Sequence, residues 1–374
     1  MPGETTEQTG PIAVYGATGY TGRLVAAQLA RRGADFVLAG RNHAKLEIVA
    51  EDVGGAPTIA AALDDPAGLR ELLEPCAAVI SCAGPFVAHG EPVVRAAVDS
   101  ATHYIDTTGE QPFIRSVFED HGPAAERAGI ALLSAMGFDY VPGDMIAALT
   151  AEGMGGLDEI VLAYSARGFG ASRGTAKSAV GMLGGGDVEW REGRLLPASQ
   201  RIGRGSFEFD QPIGSQRMVR YPSGEQITVP RHVRTSNVRT MLTAATVVPD
   251  HRLAALAGLM APLQFALRTP ARRLVEVAVA RLPEGPSVEA RRRARFEIVC
   301  EARAGSRRRR GVVSGSDVYG LTAVTTVEAA LRCAAPGYAR YGALAPSQAF
   351  DPGDFLDSLS SAGVTYTVAP PPPS

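Results

Sequence analysis

The stretch Ile12–Ala30, IAVYGATGYTGRLVAAQLA, decides the fold of this chain. Its apolar residues Ile12–Tyr15 predict a buried parallel strand, and the helix that follows carries Leu24, Val25 and Leu29 on its apolar face. A glycine turn joins the two elements, which is typical of the first βα unit of a dinucleotide-binding domain. We therefore predict an α/β fold with an N-terminal Rossmann domain, built on a doubly wound parallel sheet.

The turn has the spacing G-x-x-G-x-x-G, a variant of the more familiar G-x-G-x-x-G. Gly16 permits the tight turn, Gly19 lets the backbone approach a pyrophosphate, and Gly22 lets the helix pack close to the strand. The helix N-terminus adds free N–H groups and the positive end of its dipole. The alternative is a glycine-rich turn in some other α/β protein. The predicted cofactor-binding residues of this turn are Gly16, Thr18, Gly19, Tyr20, Thr21 and Gly22.

A second predicted strand, Asp35–Gly40, indicates which nucleotide binds. NAD-binding domains place an Asp or Glu near this strand end to bind the ribose hydroxyls. Here Arg41, Asn42 and Lys45 follow the strand. Because a guanidinium can grip a 2′-phosphate with two hydrogen bonds, these three residues favour NADP, and hence NADPH, over NAD. The alternative for Arg41 is a surface residue at the start of a helix.

Further strands are predicted at Ala56–Ala62, Ala77–Cys82, His103–Asp106 and Ile130–Ser134, with helices at Pro66–Leu73 and Pro92–Ser100 among those between them. The carboxyl ends of parallel strands are where such folds bind ligands. We interpret Cys82 itself as a small packed residue rather than a nucleophile. The residues expected along the nucleotide path are Cys82, Ala83, Gly84, Pro85, Phe86, Thr108 and Gly109.

The composition excludes several classes of protein. With 374 residues, 45% hydrophobic and 20% charged, the chain is long enough for two globular domains. A net charge of −2 gives no reason to expect nucleic acid as a partner. Four scattered cysteines without C-x-x-C spacing indicate neither a metal site nor a disulfide framework, as in a reduced cytoplasmic protein. We find no apolar run of membrane-spanning length and no signal peptide in the polar first ten residues.

Several motifs together resemble the saccharopine dehydrogenase-like NADP-binding oxidoreductase family, and most closely its branch of trans-acting enoyl reductases. The resemblance is strong over the first 150 residues and thinner at GASRGTAKS, SDVYGLTA and GALAPSQAF. It implies a nicotinamide-dependent reductase, although the fold alone does not settle the function. The motifs that carry it are GATGYTGRLVAAQLA, LAGR, CAGPF, THYIDTTGE and GFDYVPGD.

The pattern changes near Leu157, which predicts a second α/β domain with a mixed or mainly antiparallel sheet. We expect residues 1–150 to form the Rossmann domain and residues 151–340 to form a substrate and dimerisation domain, so a homodimer is one expected assembly. The resemblance suggests that residues 341–374 pack back on the first domain, before a disordered proline-rich tail.

Residues 168–175 are predicted to form a loop, followed by a helix at Ala176–Leu183. The resemblance places this loop beside the nicotinamide, where Arg173 and Thr175 would hold a carbonyl or carboxylate of the substrate. A simple helix-capping loop, with Thr175 near the helix start, is an equally good interpretation.

Two other features of the second half have a structural and a functional interpretation. Leu253–Leu267 and Leu274–Leu282 have apolar residues at helical spacing. We favour helices packed in the core over a cover for an apolar substrate or a helix at a membrane surface. Arg307–Arg310 lies beside a predicted hairpin turn at Gly305-Ser306. We favour a solvated hairpin tip over a contact with an acyl-carrier protein.

The predicted reaction is NADPH-dependent reduction of an enoyl C=C group on an acyl or polyketide-type substrate, either small or carrier-bound. We expect the cleft between the domains to hold the nicotinamide and the substrate. A donor must polarise the substrate carbonyl; the candidates are Tyr104, Tyr140, Arg173 and Thr175, with Asp139 to orient one of them. The alternatives are imine reduction, as in saccharopine reductases, and a non-catalytic NADP-binding sensor or scaffold.

Overall fold

The computed structural model of the chain describes residues 9–182, 186–198, 205–247, 278–279 and 281–371. Backbone packing separates them into two compact units. The first takes its residues from Met1–Val141 and Tyr319–Ala349, and the second from Pro142–Val318 and Phe350–Ser374. These bounds differ from the expected divisions at residues 150 and 340, because the chain returns to the first unit at Tyr319 and leaves it again at Phe350. Only part of the 341–374 segment therefore packs in the first unit.

The first unit contains a seven-stranded sheet in which every pair of neighbouring strands is parallel. Its strand order, β15-β6-β5-β4-β1-β2-β3, contains the order 3-2-1-4-5-6 of the doubly wound dinucleotide-binding sheet. The predicted fold is confirmed. The strands are β1 (Ile12–Tyr15), β2 (Phe36–Gly40), β3 (Thr58–Ala60), β4 (Ala78–Ser81), β5 (His103–Asp106), β6 (Ala131–Leu133) and, from the C-terminal region, β15 (Gly342–Ala343).

Helices connect these strands, and local sequence sets where several of them begin and end. Asp65 caps one helix by accepting the amide of Gly68 at 3.0 Å, and Pro66 follows at the first helical position. Gly129 ends another with a left-handed φ of 69°. The helices are α1 (Tyr20–Arg31), α2 (His43–Asp52), α3 (Pro66–Leu73), α4 (Phe86–His89), α5 (Glu91–Asp99), α6 (Gln111–Ser116), α7 (Gly122–Ala128) and α8 (Val141–Ala151), which crosses into the second unit.

The second unit is built on a mixed sheet with the order β10-β11-β12-β7-β13-β14-β16. Only the β12–β7 pair is parallel, which confirms the predicted mixed, mainly antiparallel sheet. A separate two-stranded hairpin, β8–β9, accompanies it. The strands are β7 (Glu159–Arg167), β8 (Val188–Arg191), β9 (Arg194–Pro197), β10 (Gly205–Glu208), β11 (Ser215–Arg220), β12 (Val238–Thr243), β13 (Arg295–Ala304), β14 (Arg307–Ser316) and β16 (Thr365–Val368).

The remaining helices include a long one that carries the chain back to the first unit. No helix in the part of the chain that the structure describes is long and apolar enough to span a membrane. The predicted apolar helices at Leu253–Leu267 and Leu274–Leu282 fall almost wholly outside the described residues. The helices are α9 (Arg173–Met182), α10 (Glu225–Thr228), α11 (Ala244–Val247), α12 (Val288–Arg293), α13 (Val318–Ala334), α14 (Pro346–Ala349) and α15 (Pro352–Ser358).

Candidate functional site

The turn after β1 leaves the N-terminus of α1 available to an anion. Gly16 adopts a φ of +80°, a conformation that favours glycine, and its carbonyl accepts the amide of Gly19 at 3.1 Å. Gly19 is the N-cap of α1, where no side chain accepts a capping hydrogen bond, and the first turn has no acidic residue. The first amide groups of a helix lack partners within the helix, so this end suits a phosphate.

The two glycines at the start of α1 have different surroundings. A Cβ added to Gly22 would lie 2.8 Å from Ala17 Cα and closer still to the Gly16 carbonyl oxygen. Gly22 is therefore required for packing the helix on the turn. A Cβ at Gly19 would meet only the Gly16 oxygen, at 3.4 Å. The space beside Gly19 is open, as expected for a cradle that a diphosphate fills, so the residues present fit the nucleotide.

The end of β2 bears the exposed Arg41. Asn42, which we expected at the cofactor, accepts the Lys45 amide at 3.0 Å and so caps α2. Tyr15, at the end of β1, donates a hydrogen bond to the Ala61 carbonyl, and burial raises the pKa of its phenol. This strand end thus offers a guanidinium where NAD-binding domains place a carboxylate.

Asp106, at the end of β5, ties together two loops at the carboxyl edge of the sheet. Its buried carboxylate accepts hydrogen bonds from the amides of Thr108 and Ala135, at 2.9 and 2.8 Å, and from Ser134 Oγ at 2.8 Å. Burial raises the pKa of Asp106 to about 6, against the lowering effect of these donors. The segments after β5 and β6 are therefore fixed to each other.

Glu110, which the sequence analysis did not select, fixes a third loop. It is 2% exposed, and its two carboxylate oxygens accept the amides of Phe86 and Val87, each at 2.9 Å. Thr108 is engaged in the same loop, since its hydroxyl oxygen accepts the Glu110 amide at 3.0 Å. The only signal in the sequence was the acidic residue that closes the THYIDTTGE motif.

Helix α13 also supports this edge, from a distant part of the chain. Thr322 Oγ1 accepts the Phe138 amide at 3.1 Å, and Thr325 Oγ1 donates to the Met136 carbonyl at 2.7 Å. Tyr319 packs edge-to-face on Tyr20 of the glycine turn, with ring centroids 5.2 Å apart. The first two turns of α13 therefore join the nucleotide-binding turn to the loop after β6.

The first-unit catalytic candidates differ in their access to solvent. Tyr104 is fully buried, with its hydroxyl beside Ser81 and Asp106, so it cannot reach a substrate in this structure. Tyr140 is 1% exposed and donates to the Gly109 carbonyl at 2.8 Å. Asp139 is exposed as a residue, while the surrounding protein desolvates its carboxyl group and raises the pKa of that carboxyl to about 6. A carboxyl of this pKa can exchange a proton near neutral pH.

Arg173 and Thr175 lie in the second unit, at the start of α9. The helix begins at Arg173, three residues earlier than expected, because Ser172 Oγ accepts the Thr175 amide at 3.1 Å. Arg173 Nε donates to the Leu282 carbonyl at 2.8 Å. These contacts agree with the capping interpretation of the loop.

The arginine run on β14 makes contacts with its own chain. Arg307 donates to the Met154 carbonyl at 2.9 Å, and Arg309 donates to the carbonyls of Glu152 and Ala369, at 2.7 and 2.8 Å. These arginines therefore fasten the hairpin to neighbouring segments, which weakens the argument for a carrier-protein contact.

Cys82 is half-buried, and burial raises the pKa of its thiol to about 12. A thiol with this pKa stays protonated at neutral pH and is a poor nucleophile. This agrees with its interpretation as a packed residue at the end of β4.

Comparison with known proteins identifies relatives of the first unit. Residues 12–133 match the family model of the saccharopine dehydrogenase NADP binding domain. Over 193 residues the chain is 30% identical to a human protein named saccharopine dehydrogenase-like oxidoreductase, with 45% of each chain covered. Over 140 residues it is 34% identical to a trans-acting enoyl reductase of Mycobacterium ulcerans, with 36% of this chain and 34% of that protein covered. The matches thus span less than half the length of these curated relatives.

The fold resembles a solved structure over nearly the whole chain. Saccharopine dehydrogenase (L-Glu forming) from Saccharomyces cerevisiae superposes with a TM-score of 0.62, covering 96% of this chain and 100% of that one. The two sequences are 14% identical, so the likeness shows the fold alone.

Proposed function

We propose that the chain is an NADPH-dependent oxidoreductase, because residues 12–133 match the saccharopine dehydrogenase NADP binding domain, as its motifs predicted. Its substrate is an enoyl group on an acyl or polyketide-type molecule, small or carrier-bound. The observation that carries this proposal is the open N-terminus of α1 at Gly19, beside a carboxyl edge whose loops are fixed by buried carboxylates. The partial match to enoyl reductases supports the choice of substrate.

The chain's own residues bind the nucleotide and supply the proton that the reduction needs. The turn at Gly16–Gly22 would hold the diphosphate, and Arg41 would hold the 2′-phosphate. NADPH, when bound, would supply a hydride to the β-carbon of the enoyl group. The α-carbon must then take a proton. Asp139 is our candidate donor, because it is exposed and its pKa lies near 6.

The test follows NADPH absorbance with an enoyl thioester, and in parallel with a keto acid plus an amino acid as an imine-forming pair. We expect consumption with the enoyl thioester. Consumption only with the imine-forming pair would replace this proposal with imine reduction. Tight NADPH binding without any turnover would favour a sensor or scaffold.

Asp139→Asn tests the proton donor, with the exposed Asp120→Asn as its matched control. We expect Asp139→Asn to lower kcat by about 10²-fold or more, the usual contribution of general acid catalysis, with little change in NADPH affinity. The wild-type rate should fall as pH rises above about 6, because the donor must be protonated. A wild-type kcat in Asp139→Asn would remove Asp139 from the mechanism.

A further inference from the structure

The second unit contains a cavity of about 410 Å³ that the proposed reductase chemistry does not use. It lies beside β12. Strand β11 pairs with Met241–Thr243 of β12, and the β8–β9 hairpin packs near the earlier residues of β12. Its volume is within the range of small-molecule sites. Its lining residues belong to the described part of this unit.

Charged side chains dominate one part of the cavity wall. Four arginines and two glutamates line it, and each glutamate is shared by two arginines. Arg191 and Arg220 contact Glu189 at 2.8 and 2.6 Å. Guanidinium groups therefore outnumber carboxylates on this wall.

The second shared carboxylate is Glu159, which contacts Arg239 at 3.2 Å and Arg303 at 3.1 Å. Arg303 also pairs with Glu301 at 2.6 Å, so its charge is balanced from outside the cavity. Arg239 is the more exposed of the two, with a half-exposed side chain. Arg239 therefore presents the more accessible guanidinium at this end of the cavity.

An indole and other apolar groups form the rest of the wall. Trp190 lines the cavity with Phe207 and Met218, and its position is fixed at both ends. Its indole N–H donates to the Thr235 carbonyl at 2.9 Å, and its backbone amide donates to Gln226 Oε1 at 2.8 Å. A flat apolar group can pack on such a surface while an attached anion meets the guanidinium groups.

From this arrangement we propose that the cavity binds a small organic anion, a carboxylate or phosphate attached to a flat apolar group. Arg239 is the residue that recognises the anion, and Trp190 contacts the apolar part. The site is formed within the second unit, so the inference does not depend on the proposed reductase reaction.

The experiment exploits the fact that Trp190 is the only tryptophan in the chain. Phenyl phosphate, benzoate and neutral benzamide are titrated separately into the full-length protein with NADP⁺ at saturation, and tryptophan emission is recorded. We expect a saturable change with at least one anion and none with benzamide. The tighter of the two anions identifies the phosphate or carboxylate class.

Arg239→Ala is compared with Arg308→Ala, a matched change at an exposed arginine of β14 that does not line the cavity. We expect Arg239→Ala to weaken anion binding by about tenfold or more and Arg308→Ala to leave it unchanged. Glu159 keeps Arg303 as a partner in Arg239→Ala, so both variants should have the melting temperature of the wild type. No saturable change with either anion, equal binding of benzamide, or wild-type affinity in Arg239→Ala would overturn the proposal.

Discussion

Replacing Gly22 and Gly19 separately should distinguish helix packing from nucleotide binding. In Gly22→Ala the new Cβ would lie 2.8 Å from Ala17 Cα, with the Gly16 carbonyl oxygen closer still. Both neighbours are backbone atoms and cannot move like a flexible side chain. Overpacking of this kind typically costs about 1–3 kcal/mol, and we expect the upper end here. Alanine has a better helix propensity than glycine, which offsets about 1 kcal/mol of this cost.

The net loss for Gly22→Ala is therefore about 2 kcal/mol, which should lower Tm by roughly 4–8 °C for a domain of this size. Gly19→Ala should behave differently, because its Cβ would meet only the Gly16 oxygen at 3.4 Å. We expect its Tm without nucleotide to fall by much less, while NADPH affinity falls about tenfold or more as the Cβ enters the phosphate space.

Differential scanning fluorimetry without nucleotide gives Tm, and calorimetric titration with NADPH gives affinity. Gly33→Ala is not a suitable control, because Gly33 has a φ of +62°. The exposed helical change Glu51→Ala, on α2, serves instead. A Gly22→Ala protein as stable as the wild type would refute the packing argument. Unchanged NADPH affinity in a folded Gly19→Ala protein would place the phosphates elsewhere.

Three further changes test the cofactor, the loops and the second unit. Arg41→Asp should weaken NADPH binding by about 1.5–3 kcal/mol and leave NADH affinity unchanged, as measured by calorimetry. Equal affinities of the wild type for the two nucleotides would contradict this. Glu110→Gln should cost about 1–3 kcal/mol of stability and raise KM for NADPH, since an amide cannot accept from both Phe86 and Val87. Burial raises the pKa of Glu225 from 4.5 to about 8, so the folded protein keeps a proton that the unfolded chain loses between these pH values. The free energy of unfolding should therefore fall as pH rises from 4.5 to about 8, by at most about 1.4 kcal/mol per pH unit. Denaturant titrations of Glu225→Gln should show a weaker fall.

Local sequence predicted the first unit well because β1, β2, β4 and β6 are buried along their whole length. β5 was predicted with its observed bounds, and Pro66 fixed the start of α3, which also matched. The parallel, doubly wound sheet followed from the alternation of strand and helix.

The supports of the candidate site were less accessible to sequence reasoning, because they depend on contacts between distant residues. Thr322 lies 184 residues from its partner Phe138, and no local pattern marks it. Glu110 looks like an ordinary acidic residue before a helix until its contacts with Phe86 and Val87 are known. Tyr104 was selected for its residue type, but it points into the core of the sheet.

The buried carboxylates of the THYIDTTGE motif explain how irregular loops form a rigid edge. Burying a carboxylate costs free energy unless its oxygens are satisfied, and backbone amides can satisfy them. Asp106 does this for the loops after β5 and β6, and Glu110 does it for the loop after β4. Tyr140 adds a further hydrogen bond at this edge by donating to the Gly109 carbonyl. Because each carboxylate holds main-chain atoms, the geometry of this edge persists whatever side chains the loops carry toward a substrate.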